Sequence, residues 1–294
     1  MLKILKDWIL IIAIVVGVLI HPFVEHIAFL SPYLISSMLV FTFSSMSVRK
    51  LKIQKSHVLI LAIQLVLACV LYLLIQPFNQ ILAMGIMVCA LCPTASSAPA
   101  MVKMLGGDVS YVTTYLLFIN LIMAAVIPVT FSWVMNNDGI AFIDICLGIM
   151  KRVGALLLIP LLLARAIKHT LSKTNKYLIK HGNVTFYIWS VALVIAIANT
   201  IRFFISHNVE HTTLFVMASA SLLICLAQFG VGRFLGVRYS NKVAMCQTLG
   251  QKNTILAIWM AQTFLNPLSS IVPACYVLWQ NILNSVQLFL SRKK

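Results

Sequence analysis

The chain has 294 residues, 61% hydrophobic and only 10% charged, with a mean hydropathy of +1.00. A soluble globular domain is excluded, because apolar runs of about 18 residues or more are membrane helices and here they use almost the whole chain. The net charge of +16 would suit nucleic acid, but the basic residues cluster in alternate short loops, the positive-inside pattern. The expected surroundings are a lipid bilayer, with no nucleic-acid partner.

The first apolar run, Trp8 to Ile20, follows Lys3 and Lys6. It lacks a small-residue cleavage site and runs into His21-Pro22, so it reads as a retained first helix rather than a signal peptide. Apolar windows then place ten spans at 7–27, 31–48, 57–75, 79–104, 109–135, 146–167, 184–204, 212–232, 242–266 and 268–291. Proline and glycine mark many junctions: Pro32, Pro77, Gly106-Gly107, Gly139 and Pro267.

Charge sets the orientation. With the N-terminus inside, only Lys151, Arg152 and Arg202 of the basic residues fall on the outer side, and Lys252 falls within a span. The outer segments hold Glu25, Asp138, Asp144 and Glu210 instead. Lys151 and Arg152 fit least well and are placed at the outer end of the sixth span, after an interfacial Ile140–Leu147 stretch. Both termini are expected in the cytoplasm, and the expected location is the bacterial cytoplasmic membrane.

Ten spans divide into five plus five near Asn136–Gly139. Five is odd, so the second half inserts upside down relative to the first. The expected domains are a first repeat, 1–138, and a second, 139–294. Polar breaks fall in the fourth span of each half: Pro93-Thr94-Ala95-Ser96-Ser97-Ala98-Pro99 and Thr248-Leu249-Gly250-Gln251-Lys252-Asn253-Thr254. Each half's fifth span carries a mid-span asparagine, Asn120 and Asn281. Paired interruptions at corresponding positions are the mark of an inverted-repeat transporter and point to its binding site.

The breaks have a chemical meaning. Unwound backbone in a membrane must find partners in protein or in a water-filled cavity. Pro93 and Pro99 each remove an amide donor, and the small residues between them admit a second backbone. If the two breaks cross, half-helix N-termini bring partial positive charge and C-termini partial negative charge. Lys252 stands in the second break, where an intramembrane charge costs about 2.5–3.5 kcal/mol on insertion scales. The bland alternatives are a seam of small residues between unbroken helices and a lysine snorkelling to an interface.

Other chemistries have weaker support. The seven cysteines form no secreted disulfide framework, and Cys89-x-x-Cys92 lies in an apolar span without the sheet a redox motif requires. Neither a metal site nor a cofactor is expected. The histidines fall in loops or near span ends. A channel would need rings of pore-lining polar residues. An intramembrane enzyme could pair Ser96 or Ser97 with Lys252, but symmetric breaks favour transport, which makes the chain a non-enzyme.

In order along the chain, these residues resemble the bile acid:sodium symporter family. Its fourth helix carries a pattern like C-P-G-G-T-A-S-N followed by G-D-V; here Cys92-Pro93 and Gly107-Asp108-Val109 stand at that separation. Its ninth helix carries a pattern like E-T-G-M-Q-N-S, here Thr248 to Thr254. Its tenth shows W-H-N-I-x-G-S, here Trp279-Gln280-Asn281-Ile282-Leu283-Asn284-Ser285. Gln64 in the third span resembles a family glutamine. The resemblance implies an all-α polytopic membrane protein of ten transmembrane helices in two inverted five-helix repeats. Broken helices 4 and 9 would cross in a core domain (helices 3–5 and 8–10) beside a panel domain (helices 1, 2, 6 and 7).

The departures bear on coupling. Without gaps, the family's sodium-binding serine and asparagine fall at Ala98 and Pro99, its helix-5 hydroxyl ligands at Val112 and Leu116, and its shared acidic ligand at Thr248. A glutamine ligand becomes Lys252. A hard cation needs several oxygens and usually a carboxylate, which these residues lack. The expected function is secondary active transport of a small organic anion by alternating access, without sodium. A sodium-dependent organic anion or bile acid symporter using Gln64 and backbone carbonyls is the rival. Lys252 and Gln64 are assigned to charge and coupling. Burial disfavours a charged amine, so proton coupling stays open beside uniport and exchange. Ser96, Asn253 and Asn281, with Thr94 and Thr254 beside them, are the substrate-binding candidates.

Overall fold

The structure, a computed structural model, describes residues 12–13, 15–44, 52–135, 142–182, 184–206 and 210–292. The repeat boundary near Asn136–Gly139 and the basic residues Lys3, Lys6, Arg49 and Lys50 lie outside the described residues. Regular structure among the described residues is helical, apart from one antiparallel backbone bridge between Thr94 and Lys252.

The helices follow the apolar windows. Near the N-terminus, α1 (Val15–His26) closes as a 3-10 turn from His21 and bends by 90° into the stretch ending with α2 (Ser31–Ser44). Pro22 and Pro32 flank the bend, each second in its helical turn, where a missing amide is tolerated. Next come α3 (Lys55–Ile75), α4 (Gln80–Leu91), the short α5 (Ala98–Met104) and α6 (Val109–Met135). After the undescribed loop, α7 (Phe142–Ile149) runs through a π turn (Met150–Gly154) into α8 (Ala155–Thr170). Lys151 and Arg152 sit in that turn, both exposed. The basic α9 (Ser172–Lys180) leads to α10 (Val184–Ser206) and α11 (His211–Arg238). The chain ends with α12 (Lys242–Gly250), α13 (Thr254–Phe264) and α14 (Ile271–Arg292).

Length separates two kinds of helix. Five stretches are each long and apolar enough to cross a membrane: α3, α6, 142–170, 184–203 and α11. The bent pair of α1 and α2 makes a sixth if taken as one span. By contrast α4 and α13 are apolar but have 12 and 11 residues. At 1.5 Å per residue they reach only ~18 Å of a hydrocarbon layer ~30 Å thick. Each is joined across a short break to a second helix, α4 to α5 and α13 to α12.

Packing sorts the helices into two groups. α3 lies along α4, α11 along α12 and α14, and α4 also meets α13 and α14. The second group has α2 against α8 and α10, with α9 on α8 and α2. α6 touches α8, α10 touches α13 and α14, and α2 touches α13, which gives contacts between the groups. Glu25 and Arg202 form an ion pair joining α1 to α10.

The α11–α12 seam relies on two glycines one turn apart. A Cβ on Gly232 would stand 2.6 Å from the Met245 carbonyl oxygen, and one on Gly236 would stand 2.6 Å from the Lys242 Cα. Helix packing in lipid rests on such close backbone approach. Gly236→Val should therefore force the helices apart, costing about 1–3 kcal/mol as overpacking does. A thermal melt of the purified variant in detergent should show a lowered transition temperature; an unchanged one would mean the seam tolerates the bulk.

Candidate functional site at the crossing of two interrupted helices

Pro93 and Gly250 open the two breaks. α4 stops at Leu91, and the chain runs extended to α5; α12 stops at Gly250 and restarts as α13 at Thr254. The extended pieces cross antiparallel. The Ala95 amide donates to the Gln251 carbonyl at 2.9 Å, and the Asn253 amide donates to the Pro93 carbonyl at 2.9 Å. These bonds pair backbone groups that neither helix can satisfy.

The residues at the centre of the crossing then cap each other's helix. The last carbonyls of any helix lack intrahelical donors. Thr94 donates its hydroxyl to the Thr248 carbonyl of α12 at 2.7 Å. Lys252 sends its ammonium to the Ala90 carbonyl of α4 at 3.2 Å. Gln64, from α3, donates its amide to the Leu91 and Cys92 carbonyls at 3.0 and 3.1 Å. The Tyr276 hydroxyl donates to the Gly250 carbonyl at 2.7 Å. The Cys92 thiol donates to the Asn253 carbonyl at 2.9 Å, so this cysteine bonds across the crossing.

Lys252 is 1% exposed. Its aliphatic stem is packed and its head meets the C-terminal end of α4, where a cation is favoured by up to ~2 kcal/mol in partly buried geometries. Its backbone amide donates to Gln280 Oε1 at 3.1 Å. This arrangement differs from snorkelling, since the side chain runs across the break to another helix. No acidic partner is paired with Lys252 among the described residues; the Glu25–Arg202 pair lies elsewhere.

Gln64 has a fixed orientation for a simple reason. The Leu91 and Cys92 carbonyls can only accept, so the NH2 must face them and the oxygen must face away. That oxygen accepts from the Tyr115 hydroxyl at 3.1 Å. Both ends of the amide are used. The side chains of Ala98, Val112, Leu116 and Thr248, where the resembling family keeps sodium ligands, are fully buried. Of these only Thr248 brings a side-chain oxygen, and its hydroxyl donates back to the Ala244 carbonyl at 2.7 Å.

Beside the crossing lies a cavity of about 620 Å³, within the ~300–1,000 Å³ of small-molecule sites. Its polar wall includes Ser96, Lys252, Asn253, Thr254 and Asn281. Facing them are Met38 and Phe41 of α2, Ile179 of α9, and Phe186 and Trp189 of α10. The cavity thus lies between the two helix groups, with most of its polar side chains on the crossing side and its aromatic rings, beside Thr42 and Thr185, on the other. Thr94 and Gln64 do not line it; both are buried in helix-end bonds.

The polar wall is richer than the sequence reading proposed. Gln251, Gln280 and Asn284 also line it. Gln251 donates to the Ser97 hydroxyl at 2.8 Å while its own oxygen is buried without a partner. Gln280 bridges the Lys252 amide and the Thr254 hydroxyl, the latter at 3.4 Å. Both flank residues already singled out, in Gly250-Gln251-Lys252 and Gln280-Asn281, so adjacency was the available signal. The mid-span asparagines behave alike. Asn120 donates to the Leu116 carbonyl at 2.6 Å and Asn281 to the Val277 carbonyl at 2.7 Å, each four residues back. Only Asn281 faces the cavity.

Interrupted helices crossing beside a cavity, in a helical chain this apolar, are features of membrane transport proteins. The model of the SBF-like CPA transporter family matches residues 8–292. The chain belongs to that family, of the bile acid:sodium symporter type, and is a membrane transporter. A search of curated proteins finds no match.

Gln64→Leu should strand the Leu91 and Cys92 carbonyls and the Tyr115 hydroxyl. An unpaired buried polar group costs about 1–3 kcal/mol, so the variant should melt well below the parent protein in detergent. Tyr115→Phe, which removes one partner of the same amide, should cost less. Equal melting temperatures for all three would show that the helix-end bonds do not hold the crossing.

Proposed function

We propose that this transporter carries a small organic anion by alternating access without sodium, with Lys252 as the built-in cation of the crossing. The observation that supports it is the Lys252 ammonium on the Ala90 carbonyl, at the negative end of α4 and at the edge of the cavity. A bound sodium ion would serve the same carbonyls electrostatically, and the lysine already serves them. The engaged Gln64 amide and the aliphatic Ala98, Val112 and Leu116 argue in the same direction. A hard cation finds too few free oxygens there.

On this reading the chain forms ten spans in two inverted repeats, 1–138 and 139–294, with both termini in the cytoplasm. The group holding the crossing is the core, and the group with α2, α8, α9 and α10 is the panel. The substrate binds between them. Ser96, Asn253, Thr254 and Asn281 supply hydrogen bonds, Lys252 supplies positive potential, and the Phe186–Trp189 side covers the apolar part of the ligand. Thr94 and Gln64 act by holding the helix ends. Rocking of one group against the other then exposes the cavity to alternate sides of the bacterial cytoplasmic membrane. A lysine that releases its proton during the cycle would couple uptake to a proton gradient; one that stays charged gives uniport or exchange.

The test begins with a thermal-shift screen of organic anions, with and without sodium and across pH, to find a ligand. Uptake of that ligand into proteoliposomes should then be equal in sodium and in choline. Lys252→Gln should lower uptake about tenfold or more, equivalent to ~1.4 kcal/mol. Uptake that disappears in choline would restore sodium symport, and an unchanged rate in the variant would remove Lys252 from the mechanism.

A further inference from the structure

A second cavity, separate from the crossing, lies between α2, α6 and α8. Its volume is about 370 Å³. The walls are aliphatic and aromatic: Phe43, Leu117, Phe118, Leu121, Leu161 and Leu162. At one end stand Arg165 and Lys168, both exposed and three residues apart on α8. Residues i and i+3 share a helix face. No acidic side chain lines the groove among the described residues.

The groove has a direction. From Leu161 to Lys168 the α8 axis rises ~10 Å at 1.5 Å per residue, so cationic heads sit at one end of a strip of apolar wall. Both flanking helices, α6 and the stretch carrying α8, are long and apolar enough to cross a membrane. Leu121 and Leu162 are 47% and 66% exposed, so the groove opens sideways where lipid tails lie. The basic end also leads into α9, which carries Lys173, Lys176 and Lys180, and anionic headgroups are attracted to such a basic stretch.

We propose that this groove binds an anionic phospholipid, its phosphate on Arg165 and Lys168 and one acyl chain along the α6–α8 wall. The guanidinium fork matches a phosphate bidentately, and the ammonium adds a point charge. The aliphatic wall replaces tail–tail contacts with shaped packing. A zwitterionic lipid would offer the same tail but place its own cation against two others, so headgroup charge decides the preference. Because the groove joins α6 of the crossing group to α2 and α8 of the other, a lipid here is a contact between the groups.

Native mass spectrometry of the detergent-purified full chain, titrated with phosphatidylglycerol or phosphatidylcholine of equal chain length, tests this. Phosphatidylglycerol should bind in preference. Arg165→Gln with Lys168→Gln should weaken it about thirtyfold, from roughly a kilocalorie per basic residue. Lys173→Gln with Lys176→Gln removes the same charge outside the groove and should leave most of the binding. Leu121→Trp, which fills the groove and keeps the cations, should also reduce binding. Equal loss from both charge pairs would reduce the effect to general surface potential. Equal binding of the two lipids, or binding of glycerol phosphate as tight as that of the lipid, would overturn the proposal. Each variant's elution as a single sharp peak on size exclusion shows that it is folded.

Discussion

The antiparallel contact between Thr94 and Lys252 is the constraint on which the rest of the structure depends. Two apolar helices too short to cross a membrane by themselves end in backbone groups that lipid would leave unsatisfied. Crossing the extended pieces pairs amides with carbonyls on both strands. It also brings two helix C-termini together, and these need donors. Thr94, Lys252, Gln64 and Tyr276 supply them, each from a different segment than the carbonyl it serves. The packing of α3 against α4 delivers Gln64, and that of α14 against α4 and α13 delivers Tyr276.

The crossing is symmetric in backbone and asymmetric in chemistry. A hydroxyl caps one half-helix and an ammonium caps the other. An isolated buried charge is expensive, and placing it against the negative end of a helix offsets part of that cost. When charged, the same side chain gives one wall of the cavity a positive character. Stability of the crossing and attraction for an anion would then arise from one side chain. On the proposed function, Lys252 therefore has a structural and a functional part together.

The cavity's two-sided lining follows from the same organisation. Backbone breaks need small and polar residues, so most of the cavity's serine, asparagine and glutamine side chains stand on the crossing side, among alanines and methionines. The facing helices bring the aromatic rings of Phe41, Phe186 and Trp189, with Met38, Thr42 and Thr185 beside them. A ligand held between them meets both surfaces at once. Membership in the SBF-like CPA transporter family fits a site of this kind, while the aliphatic residues around the crossing set this chain apart from the sodium-liganding pattern it resembles.

Much of the fold was legible in the residues themselves. The fifth apolar window and α6 cover the same residues, 109–135, because an uninterrupted apolar run of that length has one stable form in lipid. The breaks at 93–99 and 248–254 were legible because proline, glycine and a charge are costly in a membrane helix. Mid-span Asn120 and Asn281 were visible as a pair, yet only one faces the cavity, since facing depends on neighbours rather than on position in a span. Thr94 looked like a ligand contact by its place in the break; its hydroxyl instead closes a helix end. By itself the sequence determined that the chain is an intramembrane helical protein with two interruptions and a lysine in one of them. Only the tertiary structure decided which carbonyl the lysine meets, which polar residues face the cavity and which are consumed in holding it open. Hydrogen-bond partners across 150 residues of chain are set by how helices cross, and no local pattern encodes that.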